Sequence, residues 1–133
     1  MRFLTFIFLF MGLLPASVSF ADTHTQTVRA NKKTAVYNMA IYNRRHCTYA
    51  QMPEVVIVRD PKHGKVTTGK SSQKLSKNTG FCAGKRVKAI NVFYKPNRGY
   101  RGDDTFKVRF RWSSYDGSPT YDTSDTNFEI TVK

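Results

Sequence analysis

Phe106-Lys107-Val108-Arg109-Phe110-Arg111-Trp112 alternates without a break between large apolar and cationic side chains. A β-strand sends successive side chains to opposite faces. The segment therefore buries Phe106, Val108, Phe110 and Trp112 while it displays Lys107, Arg109 and Arg111 in a row. The first face predicts a packed β core and the second predicts an anionic partner. No recognisable catalytic group accompanies either face, so the chain reads as a binding protein.

Other short runs of β-branched and aromatic residues surround this strand, separated by turn clusters. Thr25 to Ala30 is a weak first strand, and Ala35 to Tyr42 is stronger, with Tyr37, Met39 and Ile41 on one face. Glu54 to Arg59 carries Val55-Val56-Ile57-Val58, the pattern of a central strand buried on both sides. Lys65 to Thr68 follows the turn Pro61-Lys62-His63-Gly64. Gly69 to Gly84 is polar and basic and reads as a long loop or frayed edge, tied down at Phe81 and Cys82. Arg86 to Lys95 resumes strand character, with Ile90, Val92 and Tyr94 on one face. Asn127 to Lys133 ends the chain with Phe128, Ile130 and Val132 inward. Six to eight such strands at intervals of about ten residues predict an all-β antiparallel sandwich, with a small β-barrel as the alternative.

The N-terminus predicts export. Met1-Arg2 precedes an apolar run from Phe3 to Leu14, Pro15 ends it, and Ser19-Phe20-Ala21 supplies small residues for a signal peptidase. The run is short for a membrane span, which needs about 20 apolar residues. Residues 1–21 therefore read as a cleaved signal peptide, and 22–133 as one domain with no later span, destined for the periplasm or the exterior. Removing the leader takes away Arg2 and no carboxylate, leaving 21 Lys and Arg against 9 Asp and Glu. Such an excess favours anionic company: nucleic acid, polysaccharide or lipid. Cys47 and Cys82, 35 residues apart, have no Cys-x-x-Cys spacing and lie in a chain routed to an oxidising compartment. They are expected to form a structural disulfide.

Pro61-Lys62-His63-Gly64-Lys65-Val66, then Phe93-Tyr94-Lys95-Pro96-Asn97-Arg98-Gly99-Tyr100-Arg101-Gly102-Asp103-Asp104-Thr105-Phe106, then Asp116-Gly117 and the strand Phe128 to Val132 form a familiar series. It resembles the bacterial Ig-like or cadherin-like module of exported and surface proteins, over roughly residues 61–132. The resemblance implies a β-sandwich with a binding or spacer role and no reaction. The chain departs from that family in being a single module, in its cysteine pair and in its basicity. Calcium sites between tandem modules need clustered carboxylates. Here only Asp103, Asp104 and Asp116 are at hand.

Within the motif, Gly99 and Gly102 suit backbone angles closed to side chains. Asp103 or Asp104 can accept backbone hydrogen bonds at the start of the strand, and Tyr94, Tyr100 and Phe106 supply aromatic bulk. Arg101-Gly102-Asp103 would act as an adhesion tripeptide only on a protruding turn. His24, His46 and His63 are scattered, and neither metal spacing nor a cofactor motif is present. The expected function is non-catalytic binding of an anionic polysaccharide or cell-surface polymer, with Lys107, Arg109 and Arg111 as the anion-binding residues. Docking on another envelope protein is the alternative. Nucleic acid is disfavoured because most aromatics fall on core-facing positions. Protection of a sheet edge explains the same cationic row equally well.

Overall fold

The computed structural model describes residues 22–48, 51–113 and 119–133. The expected signal peptide and Asp116-Gly117 lie outside the described residues. Among the described residues, seven strands form two sheets: β1 (Asp22–Val28), β2 (Thr34–Met39), β3 (Glu54–Arg59), β4 (Gly64–Lys74), β5 (Arg86–Pro96), β6 (Gly102–Ser113) and β7 (Tyr121–Val132). The four-stranded sheet runs β1-β7-β6-β3 and the three-stranded sheet runs β2-β5-β4. The architecture is a β-sandwich, not a closed barrel. Four pairings are antiparallel, whereas β1 lies parallel to β7, from Asp22 opposite Thr126 to Val28 opposite Val132.

Alternation builds the core from both sheets. Phe106, Val108 and Phe110 of β6 and Phe128, Ile130 and Val132 of β7 face Val66, Val92 and Tyr94 of the other sheet, all buried. The Phe106 and Phe128 rings stack at 4.6 Å between centroids, and Tyr94 stacks on Phe106 at 5.9 Å. Tyr37 and Met39 pack against this cluster as their spacing predicts, and Trp112 closes one end partly buried.

Two strand expectations need correction. Among the described residues β3 is an edge strand, paired with β6 alone, and Val56, Ile57 and Val58 are 44%, 36% and 46% exposed. A continuous apolar run is ambiguous about depth, because it carries no alternation to mark a solvent face. The Gly69–Gly84 segment is not a long loop. β4 continues to Lys74 in unbroken register with β5, and a 3₁₀ segment, Lys77–Cys82, follows with a kink at Gly80. Backbone pairing supplies what the polar side chains of β4 lack in intrinsic strand preference.

The disulfide Cys47–Cys82 joins the segment after β2 to this 3₁₀ segment, with 5.3 Å between Cα atoms. Asn43 Oδ1 accepts hydrogen bonds from the Arg45 and His46 amides, and this turns the chain so that Cys47 takes φ +55°. Cys47, Cys82, Leu75 and Val87 make a second buried cluster. β5 holds a single register with β4, so Val87 and Ala89 point away from the face that carries Val92 and Tyr94. Phe81 is not held in this cluster and remains 82% exposed.

The motif residues converge on one buried carboxylate. Asp104, 4% exposed, accepts the Lys62 amide at 3.0 Å, the His63 amide at 2.9 Å, its neighbour Thr105's amide at 2.9 Å and the Tyr94 hydroxyl at 2.8 Å. Gly64 is required beside it, because a Cβ there would fall 2.4 Å from the Tyr94 ring. His63 stacks on Tyr100 at 4.2 Å, and the Tyr100 hydroxyl donates to the Asp103 carbonyl.

A hydrogen bond to a charged group is worth about 1.5–3 kcal/mol, and each buried donor left without an acceptor costs about 1–3 kcal/mol. Tyr94→Phe is therefore expected to lose about 1.5–3 kcal/mol. Asp104→Ala is expected to lose more than Tyr94→Phe, measured by urea unfolding at constant m-value. Replacing both cysteines by serine is expected to cost roughly 3–4 kcal/mol for the 35-residue separation, read from the same transition.

Candidate functional site

β6 lies inside its sheet between β7 and β3, so edge protection does not account for the Lys107–Arg109–Arg111 row. What accounts for it is the strands on either side. Arg109 is directly opposite Asp125 of β7 and grips it twice, Nε to Oδ1 at 2.6 Å and a terminal nitrogen to Oδ2 at 2.9 Å. Lys107 Nζ reaches the same carboxylate at 2.8 Å. Arg111 is directly opposite Glu54 of β3, 3.6 Å away, and its guanidinium lies 3.9 Å from the Tyr121 ring centroid.

Hydrogen bonds from Arg109 first and Lys107 second hold the Asp125 carboxyl well below the usual carboxylate range. The same carboxylate raises the Arg109 guanidinium further. The row is thus three cations held against two carboxylates. Most of its field is closed within the sheet.

The larger concentration of cations is elsewhere. From Pro61 to Gly102 the chain holds eleven Lys and Arg and no Asp or Glu. That acid-free run supplies β4, β5 and the turns at their ends, so the three-stranded sheet carries Lys65, Lys70, Lys74, Arg86, Lys88 and Lys95 without a carboxylate. Seven of the nine carboxylates lie in the four-stranded sheet. The two layers of the sandwich have opposite electrostatic character. Net charge does not reveal this division, but the absence of acid over the run does.

A cleft of about 450 Å³ opens at one end of the cationic sheet, lined by Asn31, Lys65, Lys95, Pro96, Asn97 and Arg98. Lys65 and Lys95 are directly opposite on β4 and β5, where like charges repel at close range. Neither they nor Arg98 form an ion pair among the described residues. Two turns shape the cleft. Asn31, at φ +61°, accepts the Gly99 amide at 2.8 Å, and the Asn97 amide donates to the His63 carbonyl at 2.8 Å.

On the same face Phe93 lies over Gly69, with Lys33 Nζ 4.6 Å from its ring centroid. Asn38 follows, donating to Ser71 and to Asn91. The strip thus sets cations, an aromatic ring and amides side by side. Such a strip can offer both charge and hydrogen bonds to an anionic, hydroxyl-bearing group.

The remaining candidates are dispersed. His24 packs against Tyr37 and Phe128, His63 lies in its stack, and His46 is exposed. Gly102 and Asp103 are in β6, opposite Val132 and Thr131, so the Arg-Gly-Asp tripeptide is not a protruding turn. Among the described residues, no group of three His, Cys, Asp or Glu gathers to hold a metal, and no helix is long and apolar enough to cross a membrane.

Asp125→Asn is expected to release Lys107 and Arg109, raising the salt needed to elute the protein from a sulfated resin. Since ion pairing depresses the Asp125 pKa, its stabilisation is present above the unfolded aspartate pKa and is lost as pH falls through the folded value. The stability gap between wild type and Asp125→Asn should therefore narrow on acidification below the ordinary aspartate range. Comparison of the chain with protein-family models, curated proteins and solved structures finds no match.

Proposed function

We propose that the chain is an exported, non-catalytic, Ig-like module that holds an anionic polysaccharide or cell-surface polymer against its three-stranded sheet. The observation that carries this reading is the division of charge between the layers: an acid-free cationic sheet backed by one that holds most of the carboxylates. A low-dielectric slab between opposite charges orients an anionic chain to one side. The extended shape of the strip favours a polymer over a small anion. On β4 its residues run from Lys65 to Ser71 on one face, roughly 20 Å at strand spacing.

The binding residues in this proposal are Lys65, Lys95 and Arg98, joined by Lys33 and Phe93, rather than the paired row on β6. The Ig-like part is supported by the way Pro61 to Gly64, Tyr94 and Asp104 meet at a single lock, which gives the motif a structural purpose. Export, to the periplasm or beyond, is supported by the leader-like N-terminus and the disulfide.

Two triple variants with the same net-charge change test the face. Lys65→Gln/Lys95→Gln/Arg98→Gln should elute from a sulfated-polysaccharide column at clearly lower salt than wild type. Lys107→Gln/Arg109→Gln/Arg111→Gln should shift much less, because it removes cations that are already paired. Equal shifts would reduce the interaction to net charge and remove the cleft from the proposal. A wild-type protein that is not retained at low salt would end it.

A further inference from the structure

β3 is an anomaly among edge strands. Free edges are ordinarily blunted by lysine, proline or a covering segment, because their unpaired amides and carbonyls accept another strand. β3 instead presents Val55-Val56-Ile57-Val58 between one acid, Glu54, and one base, Arg59. Among the described residues it pairs with β6 on one side only, and three of its four aliphatic residues are more than a third exposed.

Its register determines what it can accept. Opposite β6, Glu54, Val56 and Arg59 face outward with Arg111, Arg109 and Lys107, while Val55 and Ile57 face inward with Phe110 and Val108. The bulge at Val58 is what brings Arg59 to the same face as Glu54. An antiparallel pair places residues of the same face opposite each other, so a strand can meet its own copy only about a two-fold axis through one residue. With that axis at Val56, Val56 meets Val56 of the second copy and Val55 meets Ile57. Glu54 then meets Arg59 at both ends. Moving the axis to Val55 or Ile57 sets Glu54 or Arg59 against Val56 and loses both ion pairs. The strand is complementary to itself in one register.

We propose that β3 pairs antiparallel with β3 of a second copy of this chain, about a two-fold axis at Val56, to give a dimer with one continuous eight-stranded sheet. The occupant is a second copy because charge and apolar pattern are complementary under the two-fold operation. The three-stranded cationic sheets belong to the opposite layer and stay free in this dimer, so the inference stands apart from the binding function.

The test is molar mass by light scattering and sedimentation velocity across a concentration series, with circular dichroism to confirm folding. Wild type should rise from one to two chain masses as concentration increases. Glu54→Arg and Arg59→Glu should each stay monomeric, since each sets like charges against one another at both ends. An equimolar mixture of those two variants should recover the dimer, because both ends become complementary again, and the double variant Glu54→Arg/Arg59→Glu should dimerise by itself. A wild-type monomer throughout overturns the proposal and leaves the edge to a strand of another protein. Single variants that dimerise as wild type does also overturn it, because they place the contact on another face.

Discussion

The carboxylate of Asp104 is the constraint on which the sandwich is registered. It belongs to β6 in the four-stranded sheet, yet three of its four donors come from the other layer or the turn leading into it: Tyr94 in β5 and the Lys62 and His63 amides ahead of β4. Hydrophobic packing between sheets is non-directional and tolerates sliding. A buried charge with four directed donors does not, because displacement leaves the charge and its donors without partners. Glycine at 64 allows the Tyr94 ring to reach the carboxylate at that point. The aromatic stack of Tyr94, Phe106 and Phe128 then continues from the lock into the core.

Much of this architecture is legible in the sequence. Phe106 to Trp112 reads as a strand with one buried face, and it is one. Cys47 and Cys82 are joined as their context predicts. The readings that failed share a cause. Val55 to Val58 looks central because a run of β-branched residues reports strand preference and says nothing about neighbours. Gly69 to Lys74 looks irregular because its side chains are polar, while its conformation comes from the carbonyls and amides of β5. Both depend on which strand lies alongside, a long-range fact that local pattern does not contain.

The same limit applied to the candidate site. Lys107, Arg109 and Arg111 are conspicuous as a row, but their electrostatic meaning depends on Asp125 and Glu54, which are distant in sequence and directly opposite in the sheet. Lys65 and Lys95 are inconspicuous, thirty residues apart beside two turns, until the β4–β5 register sets them face to face. One clue was present in the chain itself: a long interval free of acid must give an acid-free hairpin when its two halves pair. A charge distribution along the chain becomes a distribution in space through topology.

The parallel pairing of β1 with β7 has a mechanical meaning. The chain enters β1 beside Thr126 and leaves β7 beside Val28, so the two flanks of the paired strands lie at opposite ends of the sheet. Tension applied through those ends runs along both strands in opposing directions. It loads their ladder in shear, with all its hydrogen bonds strained together, instead of peeling them one at a time. A module fixed at one end and pulled at the other would resist through its longest-range pairing. The Ala30 and Lys133 amides, bonded across the same seam to the Lys133 and Val28 carbonyls, extend that resistance beyond the ladder itself.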